Sequence, residues 1–210
     1  LKRNTIVIGV VFLILATFAW AGWANWEYRK QAAERRLANT AQGELVAAGG
    51  DEQPSLSPMI GKPAPQFSLE DLSGKKVSLA DYKGKALLIN FWATWCGPCK
   101  IETPWIVDLR NQYAAKGFEV LGVSTDDIDR SDVKAFGEEK KEIASFVQQH
   151  HMPYPVLIEG DTLSKPYGGL DAMPTSFYLD RSGRIVTAQM GITSKEDIEA
   201  NIQKALKGSS

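Results

Sequence analysis

One stretch constrains this chain more than any other. Residues 86 to 92 read Ala-Leu-Leu-Ile-Asn-Phe-Trp, a nearly continuous apolar run. Such a run marks a strand covered on both faces. Four residues after it stands Cys96-Gly97-Pro98-Cys99, and from Pro98 to about Ala115 the pattern is helical, with Gly117 as its stop. A cysteine pair thus sits where a buried strand hands over to a helix. Cys96 at a helix amino terminus meets unpaired N–H groups and the positive end of the macrodipole, which favour a thiolate. Pro98 suits a first helical turn, because it has no N–H to lose and its φ is preset. Gly97 presents no side chain to an incoming group. Cys99 lies one turn on, on the same side of the helix and within disulfide reach. The other readings of the pair are half a zinc site or two inert thiols. Zinc needs two more ligands, and the chain's two histidines, His150 and His151, are adjacent and some fifty residues away. They read as solvated surface.

The remaining pattern alternates. Val77-Ser78-Leu79 reads as a short strand, Phe118 to Val123 as a second buried strand, and Val156 to Ile158 as a third. Thr175 to Leu179 and Ile185 to Met190 flank Asp180-Arg181-Ser182-Gly183, the signature of a hairpin. The first helix carries Ile101, Trp105 and Leu109 as its apolar stripe. Asp132 to His150 reads as a second helix with a break near Gly137 and a core side of Ile143, Phe146 and Val147. A last helix opens at Thr193 or Ser194, shows Ile198, Ile202 and Leu206 to the core, and ends at Gly208. Strand, helix, strand, then hairpin and helix imply an α/β fold on a mixed sheet. Asp126, Asp127, Asp129 and Asp132 lack the spacing of a calcium loop and read as solvated loop and helix cap.

Ahead of this lies a run of 20 uncharged residues, Thr5 to Ala24. As a helix it is about 30 Å long, enough to cross a bilayer. Trp20, Trp23, Trp26 and Tyr28 gather at its end, as at a membrane interface. Residues 1–30 are therefore read as an uncleaved transmembrane anchor, with membrane contact through residues 5–24. A cleaved signal is the alternative, since Ala19-Trp20-Ala21 offers small residues at cleavage spacing. The basic residues on either side, taken alone, favour a cytoplasmic carboxyl side. Residues 31–58 are rich in Ala, Gly, Pro and Ser and read as a flexible tether, leaving residues 59–210 as the folded domain. Of the 210 residues 24 are basic and 25 acidic, a net charge of −1. No excess of Lys and Arg exists to neutralise phosphates, so nucleic acid is excluded as a partner.

The stretch Ala86 to Glu102, ALLINFWATWCGPCKIE, resembles the active-site strand and helix of thioredoxins. More narrowly, it is similar to the membrane-anchored TlpA/ResA-like thioredoxins of bacteria, in the AhpC/TSA-redoxin superfamily. The opening GKPAPQFSLEDLSGKKVSLADYKGKALLINFWATWCGPC and the later AMPTSFYLDRSGRI carry the same likeness, which covers about Ile60 to Lys207.

That resemblance implies a thioredoxin-like fold, a central mixed sheet flanked by helices, behind an amino-terminal transmembrane helix. It implies a thiol-disulfide oxidoreductase in which Cys96 attacks and Cys99 resolves, the two forming the redox disulfide. Met173-Pro174-Thr175 matches the family's cis-proline loop, which lies beside the attacking sulfur and holds the substrate backbone. Trp95, Gly97 and Pro98 are the other substrate-facing positions, with core packing as the alternative for Trp95. Glu102 matches a glutamate of the anchored members and is expected to move a proton with the resolving thiol. Asn90 stands where ordinary thioredoxins carry a buried aspartate, and it cannot titrate. The Gly-Pro dipeptide is that of thioredoxin, with a potential of about −270 mV, and implies a reductant. Expected partners are disulfide-containing proteins, such as apocytochrome c during its maturation, and a membrane thiol electron donor. The expected place is the bacterial inner membrane, single-pass, with the catalytic domain in the periplasm or outside. No metal is expected. No cofactor is expected either, since neither GxGxxG nor GxxxxGK[ST] occurs. A peroxiredoxin-like thiol peroxidase is the rival enzyme. It expects Thr three residues before the attacking cysteine, where Ala93 stands. A non-catalytic binding module is the third reading.

Overall fold

A computed structural model describes residues 56–208 apart from residue 129. The anchor expected over residues 1–30, and all of the tether before residue 56, lie outside the described residues.

The core is a five-stranded sheet in the order β5-β4-β3-β6-β7. Strand β3 (Ala86–Trp92) is central and buried at every position, which is why its sequence does not alternate. It pairs in parallel with β4 (Phe118–Ser124), Trp92 opposite Ser124. On its other side it pairs antiparallel with β6 (Thr175–Leu179), Phe91 opposite Thr175. Strand β5 (Val156–Leu157) extends the parallel side, and β7 (Ile185–Met190) closes the hairpin after β6. That hairpin has the strand limits expected from the sequence. Asp180 holds its turn by accepting from the N–H groups of Ser182 and Arg184, and Gly183 supplies a φ of 80°. A separate antiparallel pair, β1 (Ser68–Glu70) and β2 (Lys76–Ser78), precedes the sheet.

Three helices pack on one face: α1 (Gly97–Tyr113), α2 (Val133–Gln149) and α3 (Lys195–Lys207). Ile106, Leu109, Ile143, Phe146, Ile198 and Ile202 meet there with Leu88, Val120 and Tyr178 of the sheet. Leu87, Ile89 and Phe91 point the other way, onto Leu56, Phe67, Leu79, Leu163 and Tyr167. The 3₁₀ turns Ser57–Met59, Leu79–Tyr82 and Gly160–Leu163 supply part of that second cover.

Four sequence expectations change. Leu79 opens a 3₁₀ turn rather than ending a strand, because Asp81 accepts from the Ser78 N–H at 2.8 Å. The inward stripe of α1 is Cys99, Glu102, Ile106, Leu109 and Tyr113; Ile101 is 56% exposed and Trp105 only half-buried. The register is set by Cys99, which faces the core from the first turn. Helix α2 continues through Gly137, where a glycine costs about 1 kcal/mol and does not break a helix capped at Asp132 and anchored by Ile143 and Phe146. At the carboxyl end of α3 it is Ala205 that is buried, with Leu206 packed at the edge. Helix α1 also contains Pro104. The Thr103 hydroxyl donates to the Cys99 carbonyl at 2.7 Å in the turn before it.

Candidate active site

Strand β3 delivers the chain to the carboxyl edge of the sheet, and Ala93, Thr94 and Trp95 carry it to α1. Cys96 caps that helix, with φ −77° and ψ 107°. Its Sγ accepts from the Cys99 N–H at 3.2 Å, so the sulfur occupies the place a serine or aspartate oxygen takes in an ordinary cap. Pro98 falls in the first turn, as expected. Cys96 and Cys99 are joined by a disulfide, Cα to Cα 5.3 Å. Cys96 is 3% exposed and Cys99 1%, so the outer sulfur alone borders open space.

That space is a groove of about 480 Å³ whose walls include Trp95, Cys96, Pro98, Thr125, Leu170 and Met173. Trp95 is 69% exposed. It is not core but an aromatic surface on the wall of the groove that Cys96 borders. A Cβ added at Gly97 would meet nothing within 4 Å. The protein itself does not require glycine there, and its absent side chain leaves the approach to Cys96 clear. The Met173–Pro174 peptide is cis, and Met173 lines the groove. Pro174 is buried behind it, and the Thr175 hydroxyl donates to the Ala172 carbonyl at 2.6 Å. Strand order explains why distant segments meet here: β4 and β6 flank β3, so the loop after one and the loop before the other wall the same space.

Glu102 lies one turn beyond Cys99 and is 2% exposed, not solvated. Its Oε2 has no hydrogen-bond partner among the described residues. Burial pushes the carboxyl up to about 7, because an unpaired charge there loses its hydration. The hydroxyls of Tyr154 and Tyr178 are likewise raised, first by burial and then by the Glu102 charge. Asn90 is buried and donates to the Ser176 hydroxyl at 3.1 Å, a structural bond between β3 and β6.

Two further corrections concern residues read as surface. Asp126 is buried, and it accepts from the Thr94 N–H and hydroxyl. Asp127, Asp129 and Arg130 follow it in the sequence, and nothing local marks a contact across 32 positions. His150 packs against Phe146, the rings tilted by 35° with centroids 4.2 Å apart. Burial, with the positive charge of Lys100 next, holds its imidazole below the ordinary value. His151 is exposed. Asp132 does cap α2, accepting from the N–H groups of Lys134 and Ala135.

With that geometry the comparisons agree. The AhpC/TSA family profile matches residues 60–188. The thiol-disulfide oxidoreductase ResA of Bacillus thuringiensis subsp. konkukian is 37% identical over 146 residues, 69% of this chain and 78% of that protein. The chain belongs to the TlpA/ResA-like thioredoxins of the AhpC/TSA family. The thioredoxin-like protein YneN of Bacillus subtilis is 35% identical over 142 residues, 68% of this chain and 78% of that protein. A thiol:disulfide interchange protein of the thioredoxin family from Chlorobium tepidum superposes with a TM-score of 0.59 at 30% identity, covering 75% of this chain and 99% of its own. The fold is thioredoxin-like, and the activity is that of a thiol-disulfide oxidoreductase. Disulfide-containing proteins are the substrates such a family implies.

Proposed function

We propose that this protein reduces disulfides of partner proteins outside the cytoplasm, tethered by residues 5–24, with Cys96 and Cys99 as its dithiol. The observation that carries the reading is the Cys96–Cys99 disulfide at the capped start of α1, with only Cys96 bordering the groove. In the reduced protein the Cys96 thiolate attacks one sulfur of a partner disulfide. The partner S–S bond breaks, its second sulfur leaves as a thiolate, and a mixed disulfide forms. Glu102, ionised in part near neutrality, takes the proton of Cys99. The Cys99 thiolate then attacks Cys96 Sγ, and the partner's remaining sulfur leaves as a thiolate that takes up a proton from water. The products are a reduced partner and the Cys96–Cys99 disulfide.

Trp95, Gly97, Pro98 and Met173 form the surface against which the partner chain lies, and Pro174 and Thr175 fix the loop that carries Met173. Each turnover leaves the protein oxidised, so a membrane thiol donor must re-reduce it. The family likeness supports apocytochrome c, whose haem-binding cysteines must be thiols, as a partner class.

Cys99→Ala leaves the mixed disulfide unresolved. Affinity capture of that variant should yield covalent adducts on Cys96 that dithiothreitol releases. Absence of such adducts, with Cys96 reduced and the protein folded, would overturn the exchange mechanism.

A further inference from the structure

Just beyond β4 lies a buried carboxylate that the exchange steps above do not use. Asp126 is 8% exposed. Its Oδ1 accepts from the Thr94 N–H at 3.0 Å and from the Thr94 hydroxyl at 2.6 Å. Its Oδ2 accepts from the same N–H at 3.1 Å and from the Ser124 hydroxyl at 2.7 Å. The Asp126 N–H donates in turn to the Ser124 hydroxyl oxygen at 3.2 Å. Thr94 is two residues before Cys96, so these bonds hold the chain within about 7 Å of the residue that bears the outer sulfur. Next to Asp126, the Thr125 N–H donates to the Trp92 carbonyl at 2.8 Å, and the Thr125 hydroxyl lies 3.9 Å from Met173 Sδ. One three-residue segment therefore grips the turn that carries Cys96 and touches the loop that carries Pro174.

We propose that Asp126 is a positioning residue of the redox site: its carboxylate fixes the Thr94–Cys96 turn, and its negative charge opposes ionisation of Cys96 in the reduced protein. The proposal rests on the reading of Cys96 as the attacking sulfur. A carboxylate gripping the turn opposes the helix terminus, whose N–H groups favour the thiolate. Other charged groups lie nearby: Asp161 and Asp171 line the groove with Cys96, Lys100 borders a depression with Thr94 and His150, and Glu102 is buried on α1 one turn beyond Cys99. Asp126 differs from them in being bonded to the turn itself. The three hydroxyl and N–H donors it receives partly neutralise it, so losing one strengthens its field at Cys96.

The test is the rate of iodoacetamide alkylation of the reduced full chain between pH 5 and 9, with the labelled sulfur located by mass spectrometry. Asp126→Asn removes the charge and keeps the shape. It should speed alkylation of Cys96 at pH 6 about three- to tenfold, with the high-pH plateau unchanged. Thr94→Val keeps the carboxylate and removes its shortest donor. It should slow alkylation at pH 6 about twofold. A purely mechanical anchor would move both profiles the same way or leave both at the wild-type position, and either result overturns the proposal. If Asp126→Asn shows no cooperative unfolding, Thr94→Val decides: slowed alkylation supports the proposal, and an unchanged or faster rate overturns it. Label on Cys99 instead of Cys96 in the wild-type chain would refute the attacking role of Cys96 itself, a failure seen before any variant is made.

Discussion

Glu102→Gln is expected to abolish a loss of stability that the wild type suffers as pH rises toward neutrality. Folded Glu102 holds its proton up to about pH 7, whereas an exposed glutamate releases it near 4.5. Between those values the native chain binds more protons than the unfolded one. Stability therefore falls as pH rises through the window and stays low above it. At about 1.4 kcal/mol per tenfold change in proton activity, the full loss is about 3 kcal/mol. Most of it, about 2–3 kcal/mol, falls between pH 5 and pH 8. Glutamine does not titrate, so the variant lacks this slope. Any constant cost of burying its amide shifts the curve without tilting it. Urea unfolding of the oxidised wild type and variant at pH 5, 6, 7 and 8 measures the difference directly. Their stabilities should diverge by about 2–3 kcal/mol across the series, or roughly 5–10 °C in melting temperature for a domain of this size. Parallel pH profiles would mean that Glu102 titrates as an ordinary surface acid. The proton transfer assigned to it would then fail as well.

Three other outcomes follow from the same structure. A Cβ on Gly160 would stand 2.5 Å from both the Ser124 carbonyl oxygen and Val123 Cγ1. Gly160→Ala should therefore cost about 2 kcal/mol or more by calorimetry, and an unchanged melting temperature would contradict that packing. Trp95 is largely solvent-facing, so Trp95→Ala should change stability by less than about 0.5 kcal/mol. It should slow insulin reduction while leaving hydroxyethyl disulfide reduction unaltered, and equal slowing of both would remove Trp95 from the partner surface. Asp161 and Asp171 line the groove, and no Lys, Arg or His is among its lining residues. Cationic cystamine should therefore react faster than anionic dithiodiglycolate, and 0.5 M salt should narrow the ratio. A ratio indifferent to salt would count against the groove as the entry path.

Elements dictated by local chemistry could be read from the chain. The apolar run of β3, the Asp180–Gly183 turn and the cap at Ser194 each declare themselves within a few residues, and the structure puts them where expected. The Cys96 cap belongs with them, since its meaning comes from the strand before it and the proline after it. The inward face of α1 was less visible. Ile101 and Trp105 look like core residues, yet the orientation of Cys99 turns Glu102 and Ile106 inward instead. Glu102 and Asp126 show the same limit at the site. Neither acid is marked as buried by its sequence neighbours, and only the packing of α1 on the sheet and the return of β4 beside β3 take them out of water. The Met173–Pro174 loop lies 77 positions from Cys96 in the chain, and family likeness, not spacing, singled it out.

Pro104 has a consequence for motion. Lacking an N–H, it leaves the Lys100 carbonyl without its usual donor one turn further along α1. The turn bearing both sulfurs is thus coupled to the long remainder, Trp105 to Tyr113, by one backbone bond fewer than in a regular helix. When the disulfide opens, the first turn can adjust without unwinding the segment that Ile106 and Leu109 fasten to the sheet. Amide exchange should record this as two separate opening events in a single helix, a fast one before the proline and a slow one after it.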